Sequence, residues 1–267
     1  MINVIVAGAA GRMGSRLIAL IKESSALALA GASEGKGHPA LGLDAGETAG
    51  VGKMAVLITD DLPGLLDRAE VVIDFSAPEA TLGHLRAVAE RRRAMVIGTT
   101  GFNAAQSDEL KSLTRQVPCV FSPNMSVGVN LIYKVISEMA KTLGDEYDIE
   151  VIEAHHRLKK DAPSGTALKI AEVLARAVNR DLNQVGVYAR KGLVGERKKQ
   201  EIGIQTIRAG DIVGDHTILF GGMGERIEVT HRASSRDTFA RGALRAASWV
   251  VRQPPGLYDM MDVLNLK

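Results

Sequence analysis

Short apolar runs alternate with amphipathic stretches through the first half of the chain. Ile2–Ala7, Leu27–Ala32, Val71–Phe75, Ala94–Ile97 and Cys119–Phe121 have the length and apolar character of buried strands. Between them, Met13–Glu23 and Pro78–Arg92 carry helical spacing, and Pro78 suits a helix start. Strands alternating with helices predict an α/β chain built on a doubly wound parallel sheet. The glycine-rich segment 34–52 reads as loop. The second half changes rhythm. A helix is predicted over Val127–Leu143, with Val127, Leu131, Val135 and Met139 on one apolar face, then a strand over Tyr147–Ala154 and a helix over Pro163–Asn179. Gly203–Arg208, Ile212–Phe220 and Arg226–His231 follow as strands with no helix between them, which predicts an α+β unit with an open mixed sheet. Thr238–Arg252 returns to helix and stops before Pro254 and Pro255. The change of pattern puts a boundary near Met125–Val127.

Composition narrows the classes. The chain has 267 residues, 46% of them hydrophobic and 4% aromatic, with a formal net charge of +2. So balanced a charge argues against a nucleic-acid partner. No apolar run approaches the ~18 residues of a membrane span, and Met1–Ala7 reads as a strand rather than a leader, so a cytoplasmic enzyme is expected. The single cysteine, Cys119, excludes an internal disulfide and a multi-cysteine zinc site.

The first strand runs into Gly8-Ala9-Ala10-Gly11-Arg12-Met13-Gly14, which opens the first helix. Glycines there let the backbone turn tightly and approach a pyrophosphate, whose charge is favoured at a helix N-terminus. Gly8, Ala9, Ala10, Gly11, Arg12 and Met13 are therefore candidate cofactor residues. Glu34, just past the second strand, is placed to bind a ribose. A carboxylate there favours NADH over NADPH, although Arg12 and Lys36 lie close enough in sequence to attract a 2′-phosphate. Gly98-Thr99-Thr100-Gly101 and Ser122-Pro123-Asn124-Met125 follow two further strands and extend the same groove.

Glu153-Ala154-His155-His156-Arg157-Leu158-Lys159-Lys160-Asp161-Ala162-Pro163-Ser164-Gly165-Thr166 gathers positive charge and proton donors after a strand. The adjacent histidines diverge on a strand and have no partner at ligand spacing, so no metal is expected. Pro163 to Thr166 reads as a helix start, which binds carboxylate or phosphate. An anion cradle beside cationic acids suits hydride transfer to an unsaturated C–N system.

This segment resembles the signature of the dihydrodipicolinate reductase family, and the resemblance extends over essentially the whole chain. It includes Gly8–Gly14, Asp74-Phe75-Ser76, Gly98–Phe102, Asn124–Asn130, Gly195–Lys198, Arg208–Thr217 and Gly256–Met260. The resemblance implies reduction of a cyclic dicarboxylate in lysine and diaminopimelate biosynthesis. It implies a Rossmann-type nucleotide domain over 1–125 and 236–267, a substrate-binding and tetramerisation domain over 126–235, and a homotetramer. It assigns His155 an acid/base role and makes Lys159 the proton donor. His156, Ser164, Gly165 and Thr166 bind substrate, Asp161 orients the loop or caps the helix, and Arg236 is a further carboxylate contact.

The chain departs from the family pattern at three places. Gly35 follows Glu34 where many relatives carry arginine, Ala10 replaces a glycine, and Met125 stands where aromatics are common and is expected to line the nicotinamide site. The alternative reading is another NAD(P)-dependent dehydrogenase of a small imino or keto acid. It has no need of the full run from His155 to Thr166.

Overall fold

Val4, Val6, Val71, Ile73, Val96 and Val120 are fully buried, because the strands that carry them are covered on both faces. The structure, a computed structural model, describes Met1 to Lys267. Its strands are β1 (Ile2–Ala7), β2 (Leu27–Ser33), β3 (Ile58–Thr59), β4 (Val71–Asp74), β5 (Ala94–Ile97), β6 (Pro118–Phe121), β7 (Asp148–His155), β8 (Gly186–Val187), β9 (Ile202–Arg208), β10 (Gly214–Gly221), β11 (Arg226–Ala233) and β12 (Gly256–Tyr258). The chain divides into two units, Met1–Val127 with Arg236–Lys267, and Gly128–Ser235.

The first unit holds a seven-stranded parallel sheet in the order β12-β6-β5-β4-β1-β2-β3. Successive residues of one strand enter opposite cores, as the period of two requires. Val4, Val6, Val71 and Ile73 pack with Leu17, Ile18 and Ile21 of the Arg12–Lys22 helix. Ala240, Ala243, Ala246 and Ala247 of the Asp237–Val250 helix join that layer. Ile5, Ala7, Val72, Met95 and Ile97 face the other way, onto Leu82, Leu85 and Val88 of the Pro78–Glu90 helix. Strand order reverses direction at β1, and ligands of doubly wound sheets bind at such a point, outside the carboxyl ends of the strands.

The second unit holds a five-stranded mixed sheet, β11-β10-β7-β9-β8, with β7 and β9 parallel and β10 antiparallel to both of its neighbours. Ile149, Val151, Ile204, Ile218 and Phe220 pack on Ile136 and Ala140 of the Val127–Leu143 helix and on Ile170, Ala171 and Leu174 of the Gly165–Ala177 helix. The opposite face, with Glu150, Ile152, Thr217 and Leu219, is half-exposed. The doubly wound sheet and the open mixed sheet are both as the hydrophobic pattern predicts. The Val127–Leu143 helix corrects one expectation: it buries Val129, Asn130, Ile136 and Ala140, and leaves Leu131 46% and Val135 39% exposed. This helix is apolar on more than one side, so spacing alone does not identify the stripe that meets the sheet.

Gly14 shows how tightly the first layer closes. A methyl built there overlaps the Gly8 carbonyl oxygen and the Ala9 backbone, neither of which can swing away. Gly83, on the exposed side of the Pro78–Glu90 helix, has open space around it. Gly14→Ala is expected to destabilise by about 1–3 kcal/mol through overpacking. Gly83→Ala is expected to stabilise by up to ~1 kcal/mol through helix propensity. Urea unfolding of the two variants checks both, and an equal effect of the two substitutions contradicts the packing described.

Candidate active site

Four strands of the first sheet end in one register row. Ala7 pairs with Asp74, Asp74 with Ile97, and Ile97 with Phe121. The parallel sheet therefore delivers Gly8–Met13, Phe75-Ser76, Gly98-Thr99-Thr100 and Ser122-Pro123-Asn124 to one carboxyl edge. Ser33 pairs with Ala7 on the other side and brings Glu34 to the same place. Gly8 has φ +68°, a left-handed conformation that glycine adopts without strain. No side chain caps the helix at Gly11, so its first turn is open to an anion. Glu34 Oε1 accepts the Ala10 N–H at 2.8 Å, which holds the carboxylate against the turn. These features fit a dinucleotide, with glycine at the pyrophosphate and a fixed acid beside it.

Behind this edge lies a polar network that the sequence does not announce. Asp74 is fully buried and accepts from the Ser76 N–H at 2.8 Å and the Ser76 hydroxyl at 2.6 Å. Its other oxygen meets His84 Nδ1 at 2.7 Å. Thr81 Oγ1 lies 2.8 Å from Thr99 Oγ1, tying the Pro78–Glu90 helix to the turn after β5. Thr99 and Ser122 are buried, whereas Thr100 and Pro123 are exposed. Met125 is 1% exposed, and its long side chain packs in the apolar core beside the alanine-rich Asp237–Val250 helix. Lys36, Arg12 and Arg236 are exposed, and Arg236 occupies the N-cap position of the Asp237–Val250 helix.

In the second unit, the basic segment is organised by Glu153. Alternation along β7 turns Ile149, Val151, Glu153 and His155 to the helix-covered face, and Glu153 is fully buried. Its oxygens accept from Arg208 Nη1 and Nη2, both at 2.8 Å, and from the Ser164 N–H at 3.0 Å. His155 Nδ1 lies 2.6 Å from Oε2. Burial pushes this carboxyl up, but Arg208, His155 and the Ser164 N–H more than offset it and hold it below the ordinary glutamate value. Burial lowers His155, assisted by the charges of Lys159 and Arg208 and opposed by Glu153, so the ring is neutral at pH 7. Lys159 Nζ pairs with Asp161 at 2.8 Å, and the Asp161 carbonyl accepts from Arg208 Nη2 at 2.6 Å.

The helix begins at Gly165, later than the expected Pro163. Ser164 is the N-cap, with its Oγ accepting the Ala167 N–H at 3.1 Å, and Asp161 caps nothing. A side chain built on Gly165 would meet nothing within 4 Å. His156 carries a buried Nδ1 without a partner. An open helix start and an unsatisfied imidazole nitrogen suit an anionic ligand. His216 stands behind this start, its Nε2 3.2 Å from Ser164 Oγ. Burial pushes His216 down to about 4.

Comparison with known proteins decides the family. The model described as "Dihydrodipicolinate reductase, N-terminus" matches residues 2–125, and "Dihydrodipicolinate reductase, C-terminus" matches 128–264. The chain belongs to the dihydrodipicolinate reductase family. It is similar over its full length, and that of each relative, to the 4-hydroxy-tetrahydrodipicolinate reductases of Syntrophus aciditrophicus, at 55% identity, and Syntrophobacter fumaroxidans, at 57%. Its fold is similar to that of a dipicolinate-bound dihydrodipicolinate reductase from Paenisporosarcina sp. TG-14, at a TM-score of 0.75 and 23% identity, covering 98% of both chains.

Within this family framework, Glu153, Arg208, His216 and Asp74 stand next to the expected site residues, although spacing alone did not select them. One signal was available: Glu153 falls on the apolar parity of the β7 alternation, where a carboxylate must be paired. The same buried groups set an acid limit on stability. His216 has its folded value lowered from 6.5 to about 4, so unfolded chains take up this proton first and stability falls as pH drops through that window. His155 adds to the loss in the same direction, and Glu153 extends it below its unfolded value of 4.5. Tm is therefore expected to drop between pH 6.5 and 4, and His216→Gln to flatten the drop; a wild-type Tm that is flat across the window contradicts the burial of neutral histidine.

Proposed function

We propose that the chain reduces 4-hydroxy-tetrahydrodipicolinate (dihydrodipicolinate) to tetrahydrodipicolinate in lysine and diaminopimelate biosynthesis, with NADH favoured over NADPH. Family membership makes it an NAD(P)H-dependent oxidoreductase. The observation that carries the residue-level reading is the common attachment of His155, the Ser164 helix start and, through Arg208 and Asp161, Lys159 to the Glu153 carboxylate.

In this reading the first unit binds the dinucleotide. The backbone of Gly8–Met13 faces the pyrophosphate, Glu34 the adenosine ribose, and the Gly98–Thr100 and Ser122–Asn124 turns the rest. Preference for NADH is supported by the half-buried Glu34 carboxylate fixed on the turn, because that charge repels a 2′-phosphate, and by Gly35, which offers no cation to offset it. The second unit binds substrate. His156 and the N–H groups at Gly165 and Thr166, with the Ser164 hydroxyl, hold the carboxylates.

The bound dinucleotide supplies a hydride. Overall the substrate gains that hydride, loses its hydroxyl as water and consumes one proton. Lys159 donates the proton from an ammonium that is only partly exposed and is held by Asp161. His155, with Nδ1 engaged by Glu153, has Nε2 left for acid/base work. A homotetramer formed through the second unit is supported by the uncovered face of its sheet. We place the enzyme in the cytoplasm, where such biosynthesis runs.

Oxidation of NADH and NADPH, followed separately with the product of dihydrodipicolinate synthase, tests the reading. Turnover with NADH exceeding that with NADPH is expected, and no oxidation of either by folded protein overturns it. Lys159→Ala is expected to lower kcat on the order of 10²–10⁴-fold, the range for a positioned proton donor. An unchanged kcat removes Lys159 from that role. Glu34→Ala is expected to raise KM for NADH more than for NADPH, and equal changes argue against the ribose contact.

A further inference from the structure

Glu153 has no assigned part in the chemistry, yet its carboxylate is engaged in four hydrogen bonds at the second unit's site. A bare carboxylate at its position, fully buried on the apolar face of β7, would be strongly destabilising. Each of its oxygens is engaged twice. Oε1 accepts from Ser164 N–H and Arg208 Nη2, and Oε2 accepts from Arg208 Nη1 and meets His155 Nδ1. Arg208 supplies the counter-charge and two of the four bonds. Here the remaining bonds go to the proposed acid/base ring and to the proposed substrate-binding helix start. Arg208 continues the chain through the Asp161 carbonyl to the residue whose carboxylate holds Lys159.

The far edge of the His155 ring is fixed as well. A Cβ built on Gly214 would sit 3.1 Å from His155 Nε2, so the ring lies over bare backbone. The His216 ring braces it edge-on, with centroids 5.3 Å apart. A ring held on both sides, with Nδ1 on a carboxylate, is held in one tautomer: Nδ1 carries the proton and Nε2 carries the lone pair.

We propose that Glu153 is a positioning residue for the reduction, holding His155 as the Nδ1–H tautomer and keeping the Ser164 helix start and the Lys159 loop in register with that ring. This rests on the function proposed above. The groups facing His155 are Glu153 on its own strand, Lys159 from the following loop, Arg208 from β9 and His216 from β10.

The test is Glu153→Gln, which keeps the volume and one acceptor but removes the charge. With the thermal transition retained, kcat is expected to fall on the order of 10- to 100-fold, as for outer partners that orient a functional imidazole. KM for the dicarboxylate is expected to change less. The acidic limb of the kcat profile, below pH 6.5 in the wild type, is expected to move lower still, because the negative charge favouring protonated His155 is gone. A kcat close to wild type with an unmoved limb overturns the proposal. Nitrogen NMR of wild-type His155 is independent of turnover and of how the variant folds. A protonated Nδ1 and bare Nε2 at pH 7 support the proposal, and the opposite tautomer overturns it. Wild-type protein that oxidises neither NADH nor NADPH overturns the proposed function instead, and the NMR result still decides the tautomer.

Discussion

A carboxylate kept from water must be surrounded by donors, and the second unit is arranged around that requirement. Glu153 sits on the helix-covered face of β7 with an arginine, an imidazole and a backbone N–H converging on it. The donors come from β9, from β7 itself and from the start of the Gly165–Ala177 helix. Satisfying one buried charge therefore fixes three elements relative to each other. Bonds of this kind contribute little net stability, but leaving one unmade is expensive, so they restrict the geometries open to the chain. Burial and the neighbouring charges of Lys159 and Arg208 outweigh the Glu153 bond and lower His155, while Lys159 pairs with Asp161.

The first unit meets its own requirement with less chemistry. Its sheet is parallel and covered on both faces, so its polar chain ends gather at the carboxyl edge. The register row Ala7, Asp74, Ile97 and Phe121 places four turns together. Asp74 lies buried behind them with both oxygens hydrogen-bonded. Glu34 reaches the glycine turn from β2 and holds it through Ala10.

Much of this was legible in the sequence, for physical reasons. Gly8 to Gly14 could be read because a tight turn and a close helix admit few residues. The Ser164 start could be read because hydroxyl residues cap helices. What escaped was partner choice. The Val127–Leu143 helix carries apolar residues on several sides, and only the sheet it meets selects Ile136 and Ala140 over Leu131 and Val135. Glu153 stands at the head of a basic run, and its arginine partner, Arg208, lies more than fifty residues away in sequence. The core packing of Met125 depends on the Asp237–Val250 helix, more than a hundred residues away in sequence.

The most direct test of the account follows one atom. NADH carrying deuterium at the transferable position of the nicotinamide, supplied with the hydroxylated cyclic dicarboxylate, is predicted to deliver one deuterium to a carbon of the reduced product, read by mass spectrometry. Product without deuterium, or carrying hydrogen from solvent at that carbon, would contradict hydride transfer by this protein.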